Sequence, residues 1–147
     1  MKSIVNREAR SKYEFLQSWD AGLVLTGAEV KAAKSGQLNL KGAYVSLENG
    51  ELWLKNAHIG AYQQKNQPGY DPEQQRKLLL HRREIDAIIG KLKQDGLTLV
   101  AEKVYSSAGL LKMKVSLARG LKKHDKRDKI KKRDTDRNIA RTLKQNY

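Results

Sequence analysis

Ala43-Tyr44-Val45-Ser46-Leu47-Glu48-Asn49-Gly50-Glu51-Leu52-Trp53-Leu54-Lys55-Asn56 is the stretch that decides the fold class. Apolar and polar side chains alternate on both sides of Asn49-Gly50, as they do in strands with one buried face. Asn-Gly tolerates positive φ at both central positions of a type I′ turn, whose twist matches that of the flanking strands. Two antiparallel strands, Tyr44–Glu48 and Glu51–Lys55, are therefore expected here. A lone hairpin is at best marginally stable in water, so the rest of the chain has to supply partners for it.

Working outward, Leu97–Tyr105 and Leu110–Ala118 read as a second hairpin around Ser106-Ser107-Ala108-Gly109. In its second strand Leu111, Met113, Val115 and Leu117 point one way, and Lys112, Lys114 and Ser116 form a basic exposed face. Lys12 to Thr26 reads as extended, with Tyr13, Phe15 and Trp19 alternating and Gly22 marking a bend or bulge. The period then changes. Thr26-Gly27-Ala28-Glu29 fits a capping box, so Ala28 to Ser35 is a short helix, closed by Gly36, with Val30 and Ala33 inward. Tyr62 to Gln75 holds both prolines and reads as a long surface loop. After Leu78-Leu79-Leu80 a helix is expected from about His81 to Gln94, with Ile85, Ile88, Ile89 and Leu92 as its buried stripe and Gly96 at its end. Five or six strands with two or three inserted helices, in a chain of 147 residues, predict a mainly β fold. The reading is a small OB-like antiparallel barrel, with an α+β sandwich as the alternative.

Charge divides the chain. The net charge is +14 at a pI near 10.0, and residues 121–147 contribute half of it, with 11 Lys/Arg against 4 Asp. Their sizeable apolar residues are Leu121, Ile130, Ile139, Leu143 and Tyr147, too few to offset chain entropy of roughly 1–2 kcal/mol per residue. The expectation is an RNA-binding domain over 1–120 and a basic tail over 121–147 that is disordered when free. The tail carries a latent helix, since Asp125 and Asp128 precede Lys129 and Lys132 by four residues and Ile139, Leu143 and Tyr147 share a face. Composition alone would equally suit a solubilising extension. The chain has no cysteine, no long apolar run and no apolar stretch near Met1 to Lys12, so a cytoplasmic protein without membrane span or secretory signal is expected.

Catalytic patterns are missing from the sequence. His58, His81 and His124 lie far apart, and no phosphate loop, nucleophile elbow or metal-ligand spacing occurs. Asp20 and Glu29 could in principle share a metal in an RNA-processing enzyme, but capping already occupies Glu29. Neither a catalytic role, a cofactor nor a metal is expected. Three basic groups fit phosphate contacts instead: Arg7 and Arg10 in an N-terminal arm, then Arg76, Lys77, Arg82 and Arg83, then Lys112, Lys114 and Arg119. With nine aromatics, and with Trp19, Tyr44 and Trp53 fitting core or hairpin pairs, a structured RNA recognised by shape fits better than a stacked single strand. An OB-fold ribosomal protein or initiation-type factor would share these features.

Asn6-Arg7-Glu8-Ala9-Arg10, Asp20-Ala21-Gly22-Leu23 and Thr26-Gly27-Ala28-Glu29-Val30-Lys31 resemble the start of the SsrA-binding protein family, also called small protein B. Arg76-Lys77-Leu78-Leu79-Leu80, Ala118-Arg119-Gly120 and His124-Asp125-Lys126-Arg127 continue the resemblance in order along the whole chain. The resemblance implies an OB-like barrel with flanking helices and an unstructured C-terminal tail. It implies an adaptor without catalytic activity that binds the tRNA-like domain of transfer-messenger RNA, stands in for its missing anticodon arm and delivers it to stalled ribosomes. The tail would enter the empty messenger channel by the decoding centre and become helical there. By motif, Asn6, Asp20, Leu79 and Lys112 would belong to the RNA-binding face, where the family often has Glu in place of Asp20. Lys31 falls in the matching helix. His124 would take the aromatic position that stacks in the decoding centre, beside Asp125, Lys126 and Arg127, with Lys131, Lys132, Arg133 and Leu143 further along the ribosome-binding tail. The protein is expected to act as a monomer.

Overall fold

The computed structural model of the chain describes residues 1–63, 67–94 and 96–121. The described residues form, in chain order, β1 (Ile4–Val5), α1 (Arg7–Lys12), β2 (Tyr13–Leu23), α2 (Gly27–Lys34), β3 (Leu38–Asn39), β4 (Tyr44–Glu48) and β5 (Glu51–Lys55). There follow β6 (His58–Ile59), β7 (Arg76–Leu79), α3 (Arg82–Leu92), β8 (Leu97–Ser107) and β9 (Leu110–Gly120). Seven strands make one sheet in the order β1-β8-β9-β2-β7-β5-β4, and β3 pairs with β6 in a separate two-stranded ribbon. Every pairing in both sheets is antiparallel.

Both hairpins form around two-residue turns. Asn49 and Gly50 have φ of 51° and 74°, and Ala108 and Gly109 have φ of 50° and 80°. The second turn is therefore tighter than Ser106–Gly109: β8 runs two residues further into it, with Ser107 opposite Leu110, and β9 extends two residues at its far end, to Gly120. The expected barrel is open in its hydrogen bonding: β1 and β4 are the two edges of the sheet. The sheet curls far enough that β4 comes alongside β8, and the core fills the space between. Mainly β with three inserted helices is the architecture, and closure is by side chains, without a ladder joining the edges.

That core takes Trp19 and Ala21 from β2, Val45 from β4, Leu52 and Leu54 from β5, Leu78 from β7, Leu99, Ala101 and Val104 from β8, and Met113, Val115 and Leu117 from β9. Ala32 and Ala33 of α2, Ile88 of α3, Leu111 of β9, and Leu38, Leu40, Ala57 and Ile59 in and beside the two-stranded ribbon join it. Each fully buried Leu, Ile or Met contributes about 1.5–3 kcal/mol, which is what makes the inner row of each strand apolar. The bulge in β2 lies between Phe15 and Gln17, leaving Leu16 exposed, and not at Gly22 as the sequence suggests. Gly22 is continuous with both neighbours, opposite Lys112 on β9 and Leu79 on β7. A Cβ there would lie 3.3 Å from Leu79 Cβ, so glycine serves close approach of two strands.

The N-terminal segment, read from sequence as a basic arm, is built into the fold as β1 and α1. β1 pairs with β8, and Asn6 caps α1 by accepting from the Ala9 amide at 3.1 Å. Its side-chain amide also donates to Ala101 O at 2.9 Å. Ala9 packs with Val100 and Ala118 in a second small cluster, flanked by Tyr13 and Phe15. α1 thereby covers the far end of β9, which explains why Ser116 is buried instead of extending the lysine row. The Ser116 hydroxyl donates to Glu102 beneath that cover. α2 starts with the expected capping box, Thr26 and Glu29 exchanging bonds of 3.0 and 3.1 Å. α3 ends earlier than its sequence suggests, with Lys93 as C-cap; Gly96, at φ 80°, instead precedes β8.

Glu29 and Arg76 form a buried pair, each side chain 2% exposed. Arg76 Nε donates to Glu29 Oε2 at 2.8 Å, Nη1 to Ala57 O at 2.6 Å and Nη2 to Pro72 O at 2.9 Å. Tyr70 donates to Ile59 O at 2.8 Å and contacts Glu29 Oε2 at 3.1 Å. The long loop is thus pinned to α2 and β7 through one guanidinium. Burial pushes the Glu29 carboxyl up, but the Thr26 amide, Arg76 and Gln74 together outweigh it and hold it below the usual carboxylate range. Arg76, read from sequence as a phosphate ligand, is spent on the fold.

Candidate nucleic-acid interface

The outer face of the sheet is set by strand parity. With Leu111, Met113, Val115 and Leu117 inward, Lys112 and Lys114 project from the opposite side of β9. Register then carries that side across the sheet. Tyr105 of β8 lies opposite Lys112, Lys112 opposite Gly22, and Gly22 opposite Leu79. The next rank runs Lys103, Lys114, Asp20, and Lys77 stands two residues before Leu79 on β7. Residues scattered from 20 to 114 in sequence therefore occupy one patch two ranks deep.

Its chemistry is mixed. Leu79 is 53% exposed, an apolar side chain held out to solvent by the inward Leu78 before it. Lys112 and Lys114 are half-buried along their stems, leaving the ammonium groups as phosphate donors. Lys103 stands directly opposite Lys114, and its ammonium sits 5.6 Å from the centre of the Tyr105 ring. Like charges facing each other across a ladder are destabilising unless a polyanion neutralises them. Lys77 pairs with Glu51 at 3.0 Å. Asp20 is the acid amid these cations, and the Tyr105 hydroxyl donates to its Oδ1. Burial, then that bond and the nearby carboxylate charge, push the phenol up to about 12, so it remains a donor.

The other sequence candidates lie elsewhere. Asn6, 4% exposed, has both ends of its amide engaged within the fold. Arg7 and Arg10 are exposed on α1, over the covered end of β9. Arg119 follows the inward row of β9 and donates to Glu14 at 2.6 Å, on the opposite parity from Lys112 and Lys114. Lys31 is exposed on α2, its ammonium 5.6 Å from the Tyr62 ring centre. His124, Asp125, Lys126, Arg127, Lys131, Lys132, Arg133 and Leu143 lie outside the described residues. Tyr105 and Lys103 were missed from sequence, because only the β8–β9 register places them beside Lys112 and Lys114.

The alternative metal pair does not assemble. Glu29 is buried against Arg76, while Asp20 stands on the outer face bonded to Tyr105. Among the described residues no cluster of three or more His, Cys, Asp or Glu could hold a metal ion, and no helix is long and apolar enough to cross a membrane.

A family model described as SmpB protein matches residues 3–145. The chain belongs to the SmpB protein family. Its SmpB relatives include the SsrA-binding protein of Trichormus variabilis, 48% identical over 143 residues, covering 97% of this chain and 92% of that protein. The SsrA-binding protein of Enterococcus faecalis is 45% identical over 141 residues, covering 96% of this chain and 92% of the relative. Among solved structures, a chain from "tmRNA-SmpB: a journey to the center of the bacterial ribosome" is 38% identical with a TM-score of 0.68. That match covers 88% of this SmpB chain and 95% of the solved one.

Proposed function

We propose that this SmpB protein is an RNA-binding adaptor that holds the tRNA-like domain of transfer-messenger RNA and delivers it to stalled ribosomes in the cytoplasm. The observation that carries the reading is the single outer patch of Lys112, Lys114, Asp20, Gly22 and Leu79, joined by continuous register across β9, β2 and β7. Ammonium groups take phosphates, the carboxylate takes a base amino or imino group, and the exposed leucine lies against a sugar or base edge. A patch fixed by strand register suits a folded RNA whose shape is already set. Nothing in this task calls for a catalytic residue: binding and placement are the whole of it.

The division of labour follows the charge. Residues 1–120 would hold the RNA, and residues 121–147 would act on the ribosome, their positive charge neutralised and their latent helix formed in the messenger channel. The deciding experiment has two arms. RNA that co-purifies with the full chain is sequenced, and transfer-messenger RNA is the expected species. Peptidyl transfer to that RNA on stalled ribosomes is then measured with the chain truncated after residue 120. Retained RNA binding with lost transfer supports the proposal; full transfer by the truncated chain refutes the role of the tail, and recovery of a different RNA refutes the adaptor reading.

A further inference from the structure

Resting on that reading of the outer patch, we propose that Tyr105 is a positioning residue: its hydroxyl holds one oxygen of Asp20 so that the other is aimed at a hydrogen-bond donor on the RNA. Asp20 lies on β2 and Tyr105 on β8, with β9 between them. Strands are spaced about 4.8 Å apart, so the bond spans two spacings and must pass over β9. It does so on a diagonal. Tyr105 is opposite Lys112, whereas Asp20 is opposite Lys114, so the bridge lies between the two lysines.

That arrangement fixes the carboxylate. Left to itself, an exposed Asp would swing to the cross-strand ammonium of Lys114 and be neutralised there. Tied to Tyr105 Oη through Oδ1, its carboxylate is held over β9 and Oδ2 is left to accept from a base amino group, an imino group or a ribose hydroxyl. The bridge also crosses β9 between Lys112 and Lys114, which remain phosphate ligands with or without it. The Lys103 ammonium, 5.6 Å from the centre of the Tyr105 ring, adds a cation–π contact to the phenol. A carboxylate that repels phosphate but accepts from a base or ribose supplies discrimination where lysines supply only affinity.

The test is a double-mutant cycle on the full chain, with a transcript of the tRNA-like domain of transfer-messenger RNA as probe. Tyr105→Phe keeps the ring and its contact with Lys103 and removes only the hydroxyl. It should weaken binding about five- to tenfold, the loss expected for one charge-assisted hydrogen bond partly replaced by water. In an Asp20→Ala background the same change should cost less than about twofold. The salt dependence of binding should be unaltered, because no phosphate ligand is removed. Equal losses in both backgrounds would mean that Tyr105 touches RNA itself and would overturn the proposal. So would an unchanged affinity in Tyr105→Phe alone, or a flattened salt dependence. If Asp20→Ala by itself has no effect, the failure belongs to the RNA-face reading and takes this inference with it. A strong Asp20→Ala effect with a silent Tyr105→Phe refutes only the positioning role.

Discussion

Replacing Arg76 by Met tests what holds β7 and the long loop in place. Methionine fills most of the same volume, so the change removes charge and donors without opening a large cavity. Glu29 would then keep bonds from Thr26 and Gln74 but lose its counter-ion, and the Ala57 and Pro72 carbonyls would lose their donor. Removing one partner of a buried pair costs about 3–5 kcal/mol, and each orphaned carbonyl adds up to about 1–3 kcal/mol before relaxation. Water reaching the loop side offsets part of that, so a loss of about 4 kcal/mol is expected, or about 15 °C in Tm for a domain of this size. Urea and thermal denaturation at pH 7 measure it. The pH dependence identifies the cause. In the native chain the lowered Glu29 carboxyl gives stability that is complete above its unfolded pKa and fades as pH falls through the folded one. In Arg76→Met the Thr26 and Gln74 bonds remain but the guanidinium is gone, so burial is less opposed, the folded pKa moves up and the ionised carboxylate supplies less stability at neutral pH. The gap between the two proteins should therefore narrow from pH 7 towards pH 4.5, and adding Glu29→Gln should recover part of it. A gap that is the same at both pH values, with no recovery, would refute the buried charge as the cause.

Lys112→Ala and Lys114→Ala should each reduce the log–log slope of RNA binding against salt by roughly 0.7–0.9 for every phosphate the variant no longer neutralises, with filter binding as the measurement; unchanged slopes would remove β9 from the interface. Leu79→Ala should weaken RNA binding severalfold while shifting Tm by little, because the side chain is already 53% exposed; RNA titration and thermal denaturation read the two effects. Asn6→Ala should behave in the opposite way: loss of the α1 cap and of the bond to Ala101 O should lower unfolding free energy by about 2 kcal/mol, read by urea denaturation, and an unchanged midpoint would refute its structural role.

Local chemistry made several parts of this protein legible in the sequence. Asn49-Gly50 demanded a two-residue turn, Thr26 and Glu29 a capping box, and the alternation from Leu111 to Leu117 a one-sided strand, because each rule involves neighbours in the chain. Six short motifs in order pointed to the family, and two of them, at Asp20 and at Leu79, fall on the patch. What sequence could not place is what register and packing decide. Whether Ser116 continues the lysine row depends on α1 folding over β9, and whether Arg76 meets phosphate or Glu29 depends on a helix 47 residues away. Asn6 resembled an RNA ligand, yet its amide is enclosed once β1 pairs with β8. Tyr105 and Asp20 are separated by 85 residues, and no periodicity relates them. Strand order alone lays β9 between their strands and turns a tyrosine and an aspartate into one bridge, since sheet neighbours are chosen by burial of the whole inner face and not by any local pair.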